Sequence, residues 1–163
     1  MVHLVREIVA LPYPDSLREE IWKMRLAMQN DSQPGNLKRG PGGTVDIEFV
    51  VQMLQLENCR NHPQVLQPGT LKAIEALQSA DVMSEDDATF FGEKYKFLRS
   101  VESGLRLMNT TARHDLPQDA LQLERLAFLL HVPSGPALAE SVRAVRDEVR
   151  SRSEVLFAIE RSN

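Results

Sequence analysis

The chain has 163 residues, 42% of them hydrophobic and 26% charged, a composition typical of a soluble globular protein large enough to bury a core. A formal net charge of −4 argues against broad nucleic-acid binding, and no apolar run is long enough to cross a membrane. Cys59 is the single cysteine, which excludes an internal disulfide, and the N-terminus lacks the apolar stretch of a signal peptide, so we expect a cytoplasmic protein.

The apolar residues repeat at helical spacing almost throughout, and no segment alternates as a strand does. A short first helix is predicted over residues 4–11, ended by Pro12 and Pro14. Asp15 is predicted to cap the next helix. The apolar stripe of that helix comprises Leu17, Ile21, Met24 and Met28. Glycines and prolines then predict a loop over residues 31–43.

A third helix is predicted to begin at Thr44, which would cap it, and to end near Cys59. Because apolar side chains cover much of its circumference, we expect this helix to lie in the middle of the fold. A short helix follows from Thr70, and a long one begins at a capping box formed by Ser84 and Asp87.

The C-terminal part predicts two further helices, one with Pro117 in its first turn and one over about residues 136–159. The sequence therefore predicts an all-α fold, a single helical bundle of about six to seven helices with one long central helix. Its parts are the N-terminal helices, the loop and the main bundle, at residues 1–30, 31–43 and 44–163, respectively.

The most informative segment is glycine-rich and lies between Asn36 and Gln52. Three glycines within four residues permit positive φ and close approach to another surface. The helix that follows directs unpaired N–H groups and its positive dipole end at these glycines, and Lys38 and Arg39 add two cations. Together they predict a site for a phosphate or for a carboxylate of a neighbouring domain. The alternative is an ordinary turn whose cations face water; no Gly-Lys-Ser/Thr follows the glycines, which excludes a Walker A loop.

A polar strip follows on the third predicted helix, where Glu48, Gln52 and Gln55 share one face. Such a strip on an otherwise apolar helix requires a wet cleft or buried partners. A similar strip on the long helix comprises Arg99, Glu102 and Arg106. A ligand site and an ion-pair network, in which Glu48 faces Arg99 or Arg106, explain the two strips equally well.

Residues 36–52 resemble the glutamine synthetase adenylyltransferase family, which carries after each nucleotidyltransferase domain a pattern close to Asp-Leu-Lys-x-Gly-Pro-Gly-Gly-x-x-Asp/Glu-Ile-Glu-Phe-x-x-Gln. The matching positions are Leu37, Lys38, Gly40, Pro41, Gly42, Gly43, Asp46, Ile47, Glu48, Phe49 and Gln52. Asn36 departs from the pattern, because the family usually has aspartate there. A weaker similarity extends over about residues 15–130.

The resemblance implies a role in nitrogen regulation. Family members transfer AMP from ATP to a tyrosine of glutamine synthetase, and a paired domain removes it by phosphorolysis, under control of the PII signalling protein and glutamine. Their chemistry takes place on an α/β domain whose Gly-Ser motif and two aspartates hold Mg²⁺. No Gly-Ser followed by an Asp-x-Asp pair occurs in this sequence, so we expect the helical companion domain, with the catalytic nucleotidyltransferase domain absent.

It follows from the resemblance that this chain has no catalytic residue, no metal ligand, no cofactor of its own and no activity alone, whereas ATP and Mg²⁺ serve the full-length enzyme. The expected partners are glutamine synthetase, the PII protein and the nucleotidyltransferase domain, with no nucleic acid and no membrane. The glycine-rich segment is expected to pack on the rim of the nucleotide cleft. Candidate residues for binding nucleotide, an anion or the neighbouring domain are Lys38, Arg39, Gly40, Gly42, Gly43, Asp46, Glu48 and Gln52.

Three alternatives remain open. The PII uridylyltransferases share the core of the pattern, although Glu48, Phe49 and Gln52 favour the adenylyltransferases. A helical metal-dependent phosphohydrolase would place its metal on His62, His114, Asp115 and Asp147. A non-enzymatic domain would use one helix face to bind a protein partner.

Overall fold

A computed structural model describes residues 16–33, 35–108 and 114–158, and this part of the chain is all-α, as predicted. It contains six α-helices and one 3₁₀ turn, and no strand. These elements are α1 (Leu17–Asn30), α2 (Thr44–Asn58), the 3₁₀ turn Pro63–Val65, α3 (Thr70–Ser79), α4 (Glu85–Met108), α5 (Ala120–Leu129) and α6 (Gly135–Ala158). The helix predicted over residues 4–11 and the cap predicted at Asp15 lie outside the described residues.

α2 lies in the middle of the fold, as its apolar circumference predicted, and packs against α1, α3, α4 and α6. Four of its core side chains are 2% exposed or less: Ile47, Val50, Val51 and Met53. Neighbouring helices complete this first core cluster with Ile21, Leu77, Phe91 and Val149. Because α2 touches four other helices, any group at its N-terminal end is fixed relative to most of the bundle.

A second core cluster joins the C-terminal half of α4 to α5 and α6. Its buried side chains include Leu37, Val101, Leu105, Leu126, Leu138 and Val142. The ring of Phe97 packs against both clusters, which makes the interior continuous. Within the described ranges, no helix has both the length and the hydrophobicity that a membrane span requires.

The start of α2 differs from the prediction. Thr44 is the first residue of the helix rather than its cap, and Gly43 takes the cap position without a side-chain hydrogen bond. The Thr44 hydroxyl donates instead to the carboxylate of Glu102 on α4 (2.9 Å). The predicted cap is wrong because this buried hydroxyl is used between helices.

Side-chain oxygens set the starts of two other helices. The Ser84 hydroxyl oxygen accepts the N–H of Asp87 (3.1 Å), which confirms the predicted cap of α4. α5 begins at Ala120 rather than around Pro117, because the Asp119 carboxylate accepts an N–H of the first turn (2.9 Å).

α3 and α5 both end in a Schellman motif whose left-handed residue is not glycine. Asp81 (φ 56°) follows α3, and the N–H groups of Asp81 and of the next residue donate to carbonyls in the last turn (both 3.0 Å). His131 (φ 57°) holds the same position after α5. Both residues are exposed, so the left-handed conformation is not imposed by side-chain packing.

The substitutions Asp81→Gly and His131→Gly are each expected to raise the free energy of unfolding by about 0.5 kcal/mol, because glycine adopts positive φ without the Cβ penalty. Urea unfolding followed by circular dichroism measures the change. Alanine at the same positions keeps the penalty and serves as the control. An equal gain from alanine would show that the backbone conformation is not the cause.

Candidate functional site

The glycine-rich loop (residues 36–43) is held first by its own polar groups. The side-chain oxygen of Asn36 accepts the N–H groups of Lys38 (3.0 Å) and Arg39 (2.8 Å). The Asn36 carbonyl accepts the N–H of Gly40 (2.9 Å). A turn of this kind needs a single side-chain oxygen, so asparagine serves where the resembling family usually has aspartate.

The backbone N–H groups that lead into α2 already have acceptors inside the protein. Every one from Asn36 to Asp46 donates to an oxygen of this chain. Thr44 and Val45 are buried, so the loop seals the start of the helix. The prediction that these N–H groups bind an anion is therefore wrong, since none of them remains to be satisfied. The glycines at 40, 42 and 43 shape the loop instead.

A buried ion pair lies beneath the loop. Asp46, a predicted binding residue, is fully buried, and its carboxylate accepts from Nε of Arg25 and from the N–H of Gly42 (2.6 Å). Arg25 is fully buried as well, and its Nη2 donates to the carbonyl of Gly40 (2.9 Å). Burial lowers the pKa of the Arg25 guanidinium, and the attraction of Asp46 opposes that shift. Asp46 thus joins α1, α2 and the loop and does not face a ligand.

The sequence predicts that Met24 of α1 faces the core. In the structure, the neighbouring Arg25 faces the core instead. Met24 is 57% exposed, whereas Arg25 is 0% exposed. A buried carboxylate and a buried carbonyl require hydrogen-bond donors, which a methionine cannot supply. The core position of α1 is therefore set by the polar groups of Asp46 and Gly40.

Arg146 of α6 fastens the loop from a second side. Its Nε donates to the carbonyl of Pro41 (3.0 Å), and its Nη2 donates to the carbonyl of Asn36 (3.3 Å). Gly42 (φ 68°) lies directly against the main chain of Arg146. A Cβ added at Gly42 would be only 1.8 Å from the Arg146 carbonyl oxygen. Glycine is required here by both the backbone conformation and the close approach of α6.

The two cations of the loop are left at the surface. Lys38 is half-buried and Arg39 is exposed. In the described part of the chain, neither side chain has an ion-pair partner. Both can therefore contact an anionic group outside this part of the chain.

Glu48 and Gln52 lie on a different face of α2 from Asp46. They line a cleft of about 370 Å³ between α2 and the start of α3, together with Gln55 and Thr70. This confirms the expectation that the polar strip of α2 requires a wet cleft or buried partners. The candidate residues thus separate into two places, the loop and this cleft.

Of the two interpretations of the polar strips, the ion pair between Glu48 and an arginine of α4 is not formed. Glu48 accepts a hydrogen bond from the Tyr95 hydroxyl (3.1 Å) instead. Burial raises the pKa of Tyr95, and a hydrogen bond with Thr70 opposes that shift. Arg99 pairs with Glu102 on its own helix (2.8 Å), and Glu102 also accepts from Thr44. The polar contacts between α2 and α4 are thus hydrogen bonds from a hydroxyl group to a carboxylate rather than ion pairs.

The phosphohydrolase alternative finds no support in the described ranges, where no three His, Cys, Asp or Glu side chains lie close enough to hold a metal ion.

The sequence does not identify the two arginines that hold the loop. Arg25 carries one usable signal, since it lies one turn after Ile21 on the apolar side of α1, where a charge requires a buried partner. Arg146 carries none, because α6 has several arginines and only the fold brings this one to the loop.

Comparisons with known proteins cover nearly the whole described chain. Residues 18–157 match a family model described as GlnD PII-uridylyltransferase. The chain is also similar to the bifunctional glutamine synthetase adenylyltransferase/adenylyl-removing enzymes of Xanthomonas axonopodis pv. citri (strain 306), with 31% identity over 144 residues, and of Streptomyces coelicolor (strain A3(2)), with 37% identity over 123 residues. These alignments cover 88% and 74% of this chain, but the chain spans only 15% and 12% of the two enzymes.

Proposed function

Because the chain belongs to the family described as GlnD PII-uridylyltransferase, we propose that it is the helical domain of a glutamine synthetase adenylyltransferase/adenylyl-removing enzyme. One observation carries the choice of enzyme: curated relatives with 30–37% identity over most of the chain bear that name. In such an enzyme the modified protein is glutamine synthetase. We further propose that the full-length enzyme uses ATP and Mg²⁺, responds to the PII protein and works in the cytoplasm.

The domain's own part in this function is to seat a partner. The glycine-rich loop has its carbonyls held by Arg25 and Arg146, so it forms a rigid surface. Its N–H groups are satisfied internally, which leaves the side chains of Lys38 and Arg39 to make the contact. We expect these two cations to meet carboxylates or a phosphate on the neighbouring nucleotidyltransferase domain or on glutamine synthetase.

Binding measurements on the purified chain test the proposal. We expect saturable binding to glutamine synthetase, and no binding of ATP with Mg²⁺ at micromolar concentrations, in isothermal titration calorimetry. Lys38→Ala and Arg39→Ala should each weaken binding of glutamine synthetase by roughly fivefold, with less effect at high salt, because exposed ion pairs contribute up to about 1 kcal/mol. Micromolar affinity for ATP would contradict the assignment of the nucleotide site to another domain.

A second candidate follows from the description of the matching family model, which names a PII uridylyltransferase. The same titration separates the two enzymes, because the PII protein would take the place of glutamine synthetase as the modified partner. Binding of the PII protein without binding of glutamine synthetase would select the uridylyltransferase. Binding of neither protein would favour a non-enzymatic interaction domain.

A further inference from the structure

We propose that Arg146 is a positioning residue, which fixes the direction in which the glycine-rich loop presents Lys38 and Arg39 to an anionic surface of glutamine synthetase. This inference rests on the proposed function, since it assumes that the two cations contact a partner. It assigns no contact with that partner to Arg146 itself.

Arg146 contacts the glycine-rich loop on both sides of the two cations. The Arg146 side chain donates to the carbonyl of Asn36, before the two cations, and to the carbonyl of Pro41, after them. Its main-chain oxygen also lies against Gly42. Arg25 and the start of α2 hold residues 38 and 40 from the other side, through the carbonyls of Lys38 and Gly40, so Arg146 is the contact that ties the two cations to α6.

Arg146 differs from Arg25 in what its loss would disturb. Arg25 is fully buried and neutralises Asp46, so its removal would affect the whole fold. Arg146 is only half-buried, and burial lowers the pKa of its guanidinium, opposed by Asp147, Asp46 and Asp115. Its removal leaves the buried ion pair in place, so the loop's orientation can change while the core stays folded.

Open space on both sides of Arg146 gives the loop room to move when the anchor is lost. One cleft of about 410 Å³ is lined by Gln33, Gly35 and Asp115, and a second of about 290 Å³ is lined by Pro41 and Asp147. Arg146 lines both clefts. Because these clefts are not filled by other side chains, the hydrogen bonds of Arg146 rather than close packing hold the loop on this side.

The first test compares Arg146→Ala with Arg125→Ala, a control at an exposed arginine of α5. We expect the amides of residues 38–40 to exchange with deuterium about tenfold faster in Arg146→Ala, as expected for the loss of one or two hydrogen bonds, with the urea midpoint near that of the unsubstituted chain. Affinity for glutamine synthetase should fall about tenfold in this variant and stay unchanged in the control. Arg146→Lys should not restore either property, because one ammonium cannot reproduce the two-carbonyl geometry.

A double-mutant cycle separates positioning from direct contact. With Lys38→Ala and Arg39→Ala already in place, Arg146→Ala should add no further loss of affinity. A full additional loss, or full restoration by lysine, would overturn the inference, because Arg146 would then act by its own charge. Unchanged loop exchange in Arg146→Ala would overturn it as well. Absence of binding by the unsubstituted chain would reject the proposed function, and the exchange measurement would then decide separately whether Arg146 holds the loop.

Discussion

Replacing Gly42 by alanine is expected to lower the free energy of unfolding by about 2–5 kcal/mol. The added methyl group would lie 1.8 Å from the carbonyl oxygen of Arg146, and rigid backbone cannot yield as the end of a side chain can. The residue must also adopt φ 68°, which costs every residue with a Cβ. Urea unfolding should show a lower midpoint with an unchanged slope, since the surface exposed on unfolding stays the same.

Gly69→Ala is the matched control for this substitution. Gly69 also has a positive φ (87°), but no atom lies within 4 Å of the position of its Cβ. We expect a loss of only about 1 kcal/mol there, from the conformation alone. Equal losses at the two glycines would mean that the contact between the loop and α6 does not contribute to stability.

Replacing Asp46 by asparagine is expected to lower the free energy of unfolding by about 3–5 kcal/mol, because Arg25 would keep its charge in a buried site without a counter-ion. Arg150 also loses an attraction, since its Nη1 lies 3.6 Å from the Asp46 carboxylate. A domain of this kind has a total stability of about 5–15 kcal/mol, so the variant should unfold at much lower urea concentration. Circular dichroism against urea measures the change.

Two further variants show whether the buried ion pair is the cause. The combination of Arg25→Met with Asp46→Leu removes both charges, and it should cost less than the sum of its single substitutions. Glu19→Ala breaks the exposed pair with Lys23 (3.1 Å) and should change stability by less than about 1 kcal/mol. If Asp46→Asn were as mild as Glu19→Ala, burial of the pair would not explain its role.

The helices are predictable from the sequence because each buries a stripe that repeats at helical spacing. In α4, Phe91, Leu98, Val101 and Leu105 follow one another at spacings that put them on one side of a helix, and all four are fully buried. Helix starts are harder to predict, because a cap depends on which single oxygen reaches the first turn. Asp119 accepts that hydrogen bond in α5, where the sequence favours Pro117.

The candidate site is predictable only as a segment. The glycines and cations of residues 36–43 identify the loop, but its anchors Arg25 and Arg146 come from helices distant in the chain, and spacing along the chain does not encode such contacts. Asp46 shows the remaining difficulty. A ligand site and a buried ion pair use the same residue types, so only burial distinguishes the two roles.

Trp22 is the only tryptophan in the sequence, and it lies where α1 meets the end of α6. Its ring centroid is 4.7 Å from that of Phe157, and the Arg150 guanidinium lies 4.6 Å from it. The tryptophan emission of the protein therefore comes from a side chain in contact with Arg150, which is in turn attracted to the carboxylate below the glycine-rich loop. Emission from this one indole gives a label-free optical signal for separation of the first and last helices.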